Sequence, residues 1–196
     1  MTADPAEPQR LFVAVELAPE TREALAELQA RLRGRSLDSL RWVRPPGIHL
    51  TLKFLGETPS DRLPAVRQAL VRSVAGALPH RLSLGPLGTF GGRRGPQVLW
   101  VALAGELEPL GLLQSRVEQE LEEAGFDREG REFAPHLTLA RVRPELARSL
   151  AARIAEVLPQ VRVPPVEIGV RQLSLMRSTQ QSGGAVYEQL AAFALG

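Results

Sequence analysis

The sequence predicts an α+β protein of two similar lobes, related by an approximate two-fold axis, each an antiparallel-rich sheet flanked by helices. Three observations support this fold class. The tetrapeptide HLTL occurs twice, at 49–52 and at 136–139. A nearly continuous apolar strand and then an amphipathic helix precede each copy. One offset, 136 − 49 = 87 residues, places strand on strand, helix on helix and tetrapeptide on tetrapeptide, which indicates a diverged duplication.

The first half of the chain is predicted to run strand, helix, strand, helix, strand. LFVAVEL is almost continuously apolar, which is typical of a buried strand. The helix after it has leucines at helical spacing, a proline near its start and a glycine at its end. The second helix starts at a serine that can cap it. These elements are expected over 11–17, 19–34, 48–56, 60–76 and 80–88.

The second half repeats this order and adds a closing hairpin. Its first helix carries Leu110, Leu113, Val117 and Leu121 on one face. A Gly183-Gly184 turn is predicted to join the last two strands. No linker rich in Gly, Ser or Pro divides the halves, so we expect one domain over 10–196 after a flexible tail over 1–9. The elements are expected over 97–105, 106–126, 132–142, 144–158, 166–178 and 185–195.

Composition excludes several classes of protein. The 196 residues are 44% hydrophobic and 23% charged, as in globular domains, and contain no cysteine, which removes disulfides and thiolate chemistry. The polar start of the chain lacks the apolar segment of a secretory signal, and no apolar run approaches the ~20 residues that span a bilayer. We expect a cytoplasmic, soluble monomer. The net charge of +2 does not by itself require a nucleic-acid partner.

The two tetrapeptides place the same side chains on one face of a strand. Strict alternation puts His49, Thr51 and Lys53 on one face, and His136 and Thr138 on one face of the second strand, with the leucines opposite. Across a cleft between the lobes, two imidazoles with a pKa near 6.5 can act as acid and base on one phosphate. The threonine hydroxyls can donate to its oxygens.

Other kinds of site are not supported by the residues. A lone histidine on a strand is more often structural than catalytic, and His80 is expected to be a surface or structural residue. The repetition of HLTL is what favours catalysis at His49 and His136. Neither motif has a clustered carboxylate or a third metal ligand beside it, and no HExxH, phosphate-loop or G-x-S-x-G pattern occurs. The sequence predicts a site without metal or cofactor.

The residues that surround both motifs extend the pattern over about 10–195. LFVAVEL, RWVRPPGIHLTLKFLGE, VLWVAL, REFAPHLTLAR and LSLMRS with GGAVYEQLAAFAL occur in the order found in one known family. The chain thus resembles the two-histidine phosphoesterases, most closely the LigT-like RNA 2′,3′-cyclic phosphodiesterases, also called 2′-5′ RNA ligases. The resemblance implies an active site in the central cleft and metal-independent opening of a terminal 2′,3′-cyclic phosphate to a 2′-phosphomonoester.

The resemblance also implies roles for individual residues. His49 is the proton donor and His136 the proton acceptor, while Thr51 and Thr138 bind the phosphate. Arg141 matches an arginine that the family carries just after its second motif and that is implicated in phosphate binding. Alternation alone would point Arg141 with the leucines, so that role requires the strand to end or twist before it.

Three further residues are candidates for contact with RNA, namely Lys53, Trp42 and Phe133. The expected partners are RNA ends that carry a 2′,3′-cyclic phosphate, tRNA fragments among them, or nucleotides. The resemblance further implies a secondary ATP-independent joining of RNA ends. Two alternatives stay open at this point: a phosphodiesterase for small cyclic nucleotides or ADP-ribose cyclic phosphate, and a non-catalytic module that binds RNA or nucleotides.

Overall fold

The structure is a computed structural model that describes residues 8–182 and 184–196. Most of the predicted tail, and Gly183 of the predicted turn, lie outside this part. The described residues form nine strands and four α-helices. In chain order these are β1 (Gln9–Glu16), α1 (Pro19–Leu32), β2 (Arg41–Trp42), β3 (His49–Thr58), α2 (Leu63–Val74), β4 (His80–Gly92), β5 (Gly95–Gly105), α3 (Leu107–Glu123), β6 (His136–Arg141), α4 (Ala147–Val157), β7 (Glu167–Val170), β8 (Gln172–Gln181) and β9 (Gly184–Ala194).

The strands form two antiparallel sheets, which confirms the predicted α+β fold of two lobes. Sheet one has the order β3-β1-β8-β9, and sheet two has the order β2-β6-β5-β4-β7. The prediction of one strand over 166–178 is wrong. The chain forms β7 in sheet two, passes Arg171 and then forms β8 in sheet one. Both pieces are apolar and alternating, so nothing in their pattern marks the crossing.

The helices cover one face of each sheet and tie the lobes together. Helices α2 and α3 pack on sheet one, and α4 packs on sheet two. Helix α1 follows a strand of sheet one, yet its Gln29 is hydrogen-bonded to Leu139 of sheet two. Helix α3 follows a strand of sheet two and contacts β3 of sheet one. Because the lobes exchange helices, their buried faces form one continuous hydrophobic core.

The opposite faces of the sheets carry the polar residues of the motifs. Strands β3 and β6 belong to different sheets and contact each other, since β2 pairs with only the last two residues of β6. This contact brings the two HLTL segments together at the junction of the lobes. None of the helices within the described residues has the length and apolar character needed to cross a membrane.

Candidate active site

Each motif histidine starts its strand and donates from Nδ1 to a backbone carbonyl two residues earlier. His49 Nδ1 lies 2.9 Å from the Gly47 oxygen, and His136 Nδ1 lies 2.7 Å from the Ala134 oxygen. A carbonyl oxygen can only accept, so Nδ1 carries the hydrogen and Nε2 is left to exchange a proton. His80 makes the same kind of bond but is buried, as a structural residue would be, so this bond alone does not mark a catalytic histidine.

Both motif strands contain a β-bulge at the last leucine of HLTL. In β3, Thr51 pairs with Ala14 and Lys53 with Val13, which leaves Leu52 as the extra residue. In β6, the corresponding extra residue is Leu139. A bulge of one residue puts two successive side chains on the same face of the strand. The residues after each bulge therefore point opposite to what strict alternation predicts.

Lys53 illustrates this change of face. The expectation that it shares the open face with His49 is wrong, because the bulge turns it into the core, where it is 3% exposed. Its Nζ lies 2.6 Å from Glu118 Oε2 and also donates to the Asp127 oxygen at 2.7 Å. Glu118 further accepts from the Glu129 backbone amide. The only lysine of the chain thus holds the loop after α3 and has no free ammonium to offer RNA.

The bulge at Leu139 has the opposite effect on Arg141, which it turns outward. Leu139 and Ala140 are both buried, and Arg141 is exposed on the face that carries His136 and Thr138. Its register partner in β5 is Val98, two residues from the Trp100 that neighbours His136. The structure thus supplies the departure from alternation that a phosphate-binding role for Arg141 requires.

The position equivalent to Arg141 in the first lobe is Phe54, which is also turned onto the catalytic face. It pairs with Phe12, and their ring centroids lie 6.1 Å apart. Its side chain is 61% exposed, although alternation predicts that it packs with the leucines.

Each bulge carbonyl accepts a hydrogen bond from a glutamine on a helix. Gln29 Nε2 of α1 lies 2.9 Å from the Leu139 oxygen and 2.8 Å from the Val43 oxygen. Gln114 Nε2 of α3 lies 3.5 Å from the Leu52 oxygen. A bulge leaves a backbone group outside the regular ladder, and buried carbonyls need a partner. Helices α1 and α3 therefore stabilise the two bulges, which determine the direction of the side chains that follow them.

Aromatic rings surround both histidines, and sequence reasoning did not find most of them. Phe12 stacks on His49 at 4.7 Å, and the Tyr187 ring lies edge-on to His49 at 4.9 Å. Phe12 lies on β1, which pairs with β3, whereas Tyr187 lies on β9, which β1 and β8 separate from β3. The Tyr187 ring packs beside Gly47, at the start of the motif.

In the second lobe, Phe90 lies edge-on to His136 at 4.8 Å, with Trp100 at 6.2 Å. Gly88 lies directly under the Trp100 ring, since a Cβ there would overlap the ring atoms. Only glycine allows this approach. Trp42 and Phe133, which were candidates for contact with RNA, instead pack against the hydrophobic core. Trp42 also donates to the Leu37 oxygen at 3.2 Å.

The polar surroundings of the two histidines differ. Burial lowers the pKa of His49, while its bond to the Gly47 carbonyl and the charge of Glu16 act in the opposite direction. Glu16 pairs with His49 across β1 and β3, and its carboxylate accepts from Ser174 Oγ at 2.9 Å. The residue in the equivalent place beside His136 is Ala102.

The threonine hydroxyls of the site are available to a ligand. Within 8–182 and 184–196, neither Thr51 nor Thr138 donates or accepts a side-chain hydrogen bond, and both are half-buried. The same described residues contain no group of three His, Asp or Glu side chains arranged to hold a metal ion. The arrangement offers two imidazole Nε2 atoms, two hydroxyls and one guanidinium, which suits acid-base chemistry on an anion.

Comparison with known proteins places this geometry in one family. A profile of the 2′-5′ RNA ligase superfamily matches residues 40–182. The RNA 2′,3′-cyclic phosphodiesterase of Thermus thermophilus is 37% identical and aligns with 95% of this chain and 90% of its own length. A protein of the same name from Geobacillus stearothermophilus is 31% identical over 94% of this chain, which spans 56% of that relative.

A solved structure of a relative has the same fold over nearly the whole chain. Escherichia coli LigT in complex with 3′-AMP superposes with a TM-score of 0.73 and 28% identity, over 96% of this chain and 99% of LigT. The profile covers most of the chain, and the fold agrees with that of LigT. The chain belongs to the 2′-5′ RNA ligase superfamily.

Proposed function

We propose that this protein is an RNA 2′,3′-cyclic phosphodiesterase that opens a terminal cyclic phosphate to a 2′-phosphomonoester. The observation that carries this proposal is the duplicated motif strand. Each copy frees an imidazole Nε2 and a threonine hydroxyl on the same face, and the two copies meet where the lobes join. The Thermus thermophilus relative of this name matches the chain over 90% of its own length.

The reaction divides between the two histidines. His136 Nε2 takes a proton from water as the water oxygen bonds to phosphorus. The bond from phosphorus to the 3′-oxygen breaks, and His49 Nε2 gives that oxygen a proton. The net result is addition of one water molecule, with the phosphate left on the 2′-oxygen.

The surroundings of His49 fit the role of proton donor. Because burial lowers its pKa, protonated His49 is a stronger acid than an exposed histidine, and the bound phosphate anion favours that protonated form. The charge of Glu16 also favours the protonated form of His49. Thr51, Thr138 and Arg141 donate to the phosphate oxygens that gain charge in the transition state.

A defined oligoribonucleotide tests this assignment. The purified protein is incubated in EDTA with an oligomer ending in a 2′,3′-cyclic phosphate, and the product is identified by chromatography. We expect a 2′-phosphate, and a loss of roughly 10²–10⁴-fold in rate for His49→Gln and for His136→Gln. His80→Gln is the matched control and should keep its activity. Full activity in either motif variant would overturn the two-histidine mechanism.

A second candidate, a phosphodiesterase for small cyclic nucleotides, is favoured by one observation. The LigT structure with the same fold is a complex with the mononucleotide 3′-AMP. Comparing 2′,3′-cyclic AMP with the oligomer, at equal concentration, separates the two candidates through their kcat/KM values. Binding of the cyclic ends without opening would instead indicate a non-catalytic module.

A further inference from the structure

Two arginines lie opposite each other at the outer end of the site. Arg41 of β2 pairs with Arg141 of β6, and both side chains are exposed. Directly opposed residues of neighbouring strands point to the same face, with Cβ atoms about 4.5–5.5 Å apart. Since the bulge turns Arg141 onto the face of His136 and Thr138, Arg41 lies on that face as well. The next residue, Trp42, points the other way, into the core.

Nothing in the described part of the chain neutralises this pair. Neither guanidinium lies within 4.0 Å of a carboxylate there, although eight other cationic side chains form such ion pairs. Like charges placed directly opposite each other on a sheet are destabilising. A fork-shaped guanidinium is suited to phosphate oxygens. The two guanidinium groups are therefore suited to bind two negatively charged groups.

The strand that carries Arg41 is short but firmly held. The Val43 amide donates to the Leu139 oxygen at 2.9 Å, and Gln29 donates to the oxygens of both Val43 and Leu139. Gln29 is 2% exposed, and its bond to the Leu139 oxygen is buried. Gln29 thus binds both the bulge that precedes Arg141 and the segment that follows Arg41. These contacts fix the spacing of the two backbone positions that carry the guanidinium groups.

The equivalent edge of the first lobe has a different character. A cavity of about 440 Å³ lies there beside Phe54 and Arg62. Glu57, Asp127 and Glu129 also line it, and Arg128 is paired with Glu122 at 3.4 Å. Mixed charges of this kind do not attract a polyanion. Of these two edges, the edge of sheet two is the one that continues the phosphate site with unneutralised positive charge.

We propose that Arg41 and Arg141 bind two successive phosphates of an oligoribonucleotide. Arg141 holds the terminal cyclic phosphate, and Arg41 holds the phosphodiester on the 5′ side of the terminal nucleotide. The RNA strand accordingly leaves the site over β2. This inference rests on the proposed function and makes chains with at least one internal phosphodiester the preferred substrates.

Three substrates isolate the second phosphate. They are 2′,3′-cyclic AMP, a diadenosine with a cyclic end, and the same dinucleotide with a neutral methylphosphonate linkage. We expect the wild-type protein to favour the charged dinucleotide by about tenfold in kcat/KM, as one charge-assisted contact allows. Arg41→Gln should abolish that preference and leave the rate on 2′,3′-cyclic AMP unchanged. Arg41→Lys should keep part of this preference. Arg81→Gln, on β4 and away from the site, should keep all of it.

A binding measurement makes the test independent of turnover. Calorimetric titration compares adenosine 2′-phosphate with the dinucleotide 2′-phosphate, at several salt concentrations. Arg41→Gln should weaken only the dinucleotide, by about tenfold, and reduce the slope of log Kd against log salt by about one. If the wild-type protein binds both ligands equally, or accepts the methylphosphonate equally well, the subsite does not exist. Absence of turnover with the predicted binding intact would overturn the proposed function alone.

Discussion

The two HLTL strands share a backbone geometry and differ in the side chains that come after their bulges. Each starts with a histidine whose Nδ1 is held by a carbonyl, and each has a bulge at its last leucine. After the bulge the first strand continues with Lys53 and Phe54, and the second with Ala140 and Arg141. The histidine and the threonine are therefore duplicated, whereas the side chains after the bulges differ between the lobes.

The difference lies in which residue the bulge turns inward and which it turns outward. The inward position is a buried cation in the first lobe and a methyl group in the second. The outward position is an exposed ring in the first lobe and a guanidinium in the second. One lobe can thus contribute aromatic contact and the other phosphate binding. Substitutions at equivalent positions of the two lobes, compared by their effects on stability and activity, test how similar the lobes are.

Loss of Lys53 should have the largest effect on stability. Lys53→Met leaves Glu118 buried without its cation, and breaking such a pair costs about 3–5 kcal/mol. Denaturant unfolding of the variant measures this loss. The more exposed Arg72–Glu120 pair between α2 and α3 provides the control, because Arg72→Gln should change stability by less than about 1 kcal/mol. Equal losses for the two variants would show that burial of Lys53 does not matter.

Arg141 and Phe54 occupy equivalent positions, and their variants should affect activity differently. Arg141→Gln removes a charged donor to the reacting phosphate, so kcat/KM should fall by roughly 10–100-fold for every cyclic phosphate substrate. Phe54→Leu should raise KM by less than about tenfold and leave kcat unchanged, because an exposed ring can contribute only stacking. Steady-state kinetics with 2′,3′-cyclic AMP and the dinucleotide measure both. Similar losses in the two variants would mean that both lobes bind the phosphate.

The two glutamines on the exchanged helices should contribute unequally. Gln29→Leu removes one donor from the buried Leu139 carbonyl, which keeps its bond from the Val43 amide, and one donor from the half-buried Val43 carbonyl. This should cost about 1–3 kcal/mol and lower kcat/KM, because the position of Arg141 depends on this bulge. Gln114→Leu removes one longer bond to a half-buried carbonyl, so its cost should be smaller. Unfolding curves and kinetics of both variants give the comparison. A larger effect at Gln114 would contradict this ranking of the two bulges.

Much of this arrangement could be predicted from the sequence, because a duplicated pattern determines the order and type of the elements. The His and Thr positions lie where alternation places them. Alternation failed at Lys53, because a bulge depends on the register with the neighbouring strand and not on the strand's own residues. In HLTLAR, two successive apolar residues, Leu139 and Ala140, stand before an arginine, and this pattern is consistent with a bulge. In HLTLKF, the residue after the bulge is a lysine, so the pattern gives no such indication.

The duplication also conceals small shifts in register. Thr51 corresponds to Thr138 at an offset of 87, but their partners Ala14 and Trp100 are offset by 100 − 14 = 86. An offset of 87 residues therefore matches strand with strand, but it shifts the paired residue on the adjacent strand by one position.

The smallest expected effect concerns the burial of the two histidines. The His49 bond to its carbonyl is half-buried and that of His136 is exposed, and burial lowers the pKa of His49. As pH falls, the unfolded chain binds a proton at about 6.5, before folded His49 does. Stability should therefore fall between about pH 6.5 and the lower folded pKa, and level off below it. Denaturant unfolding from about pH 7.5 to about pH 5 should show a shallower decline for His49→Gln than for the wild-type protein. A decline of equal slope in both proteins would mean that burial does not lower the pKa of folded His49.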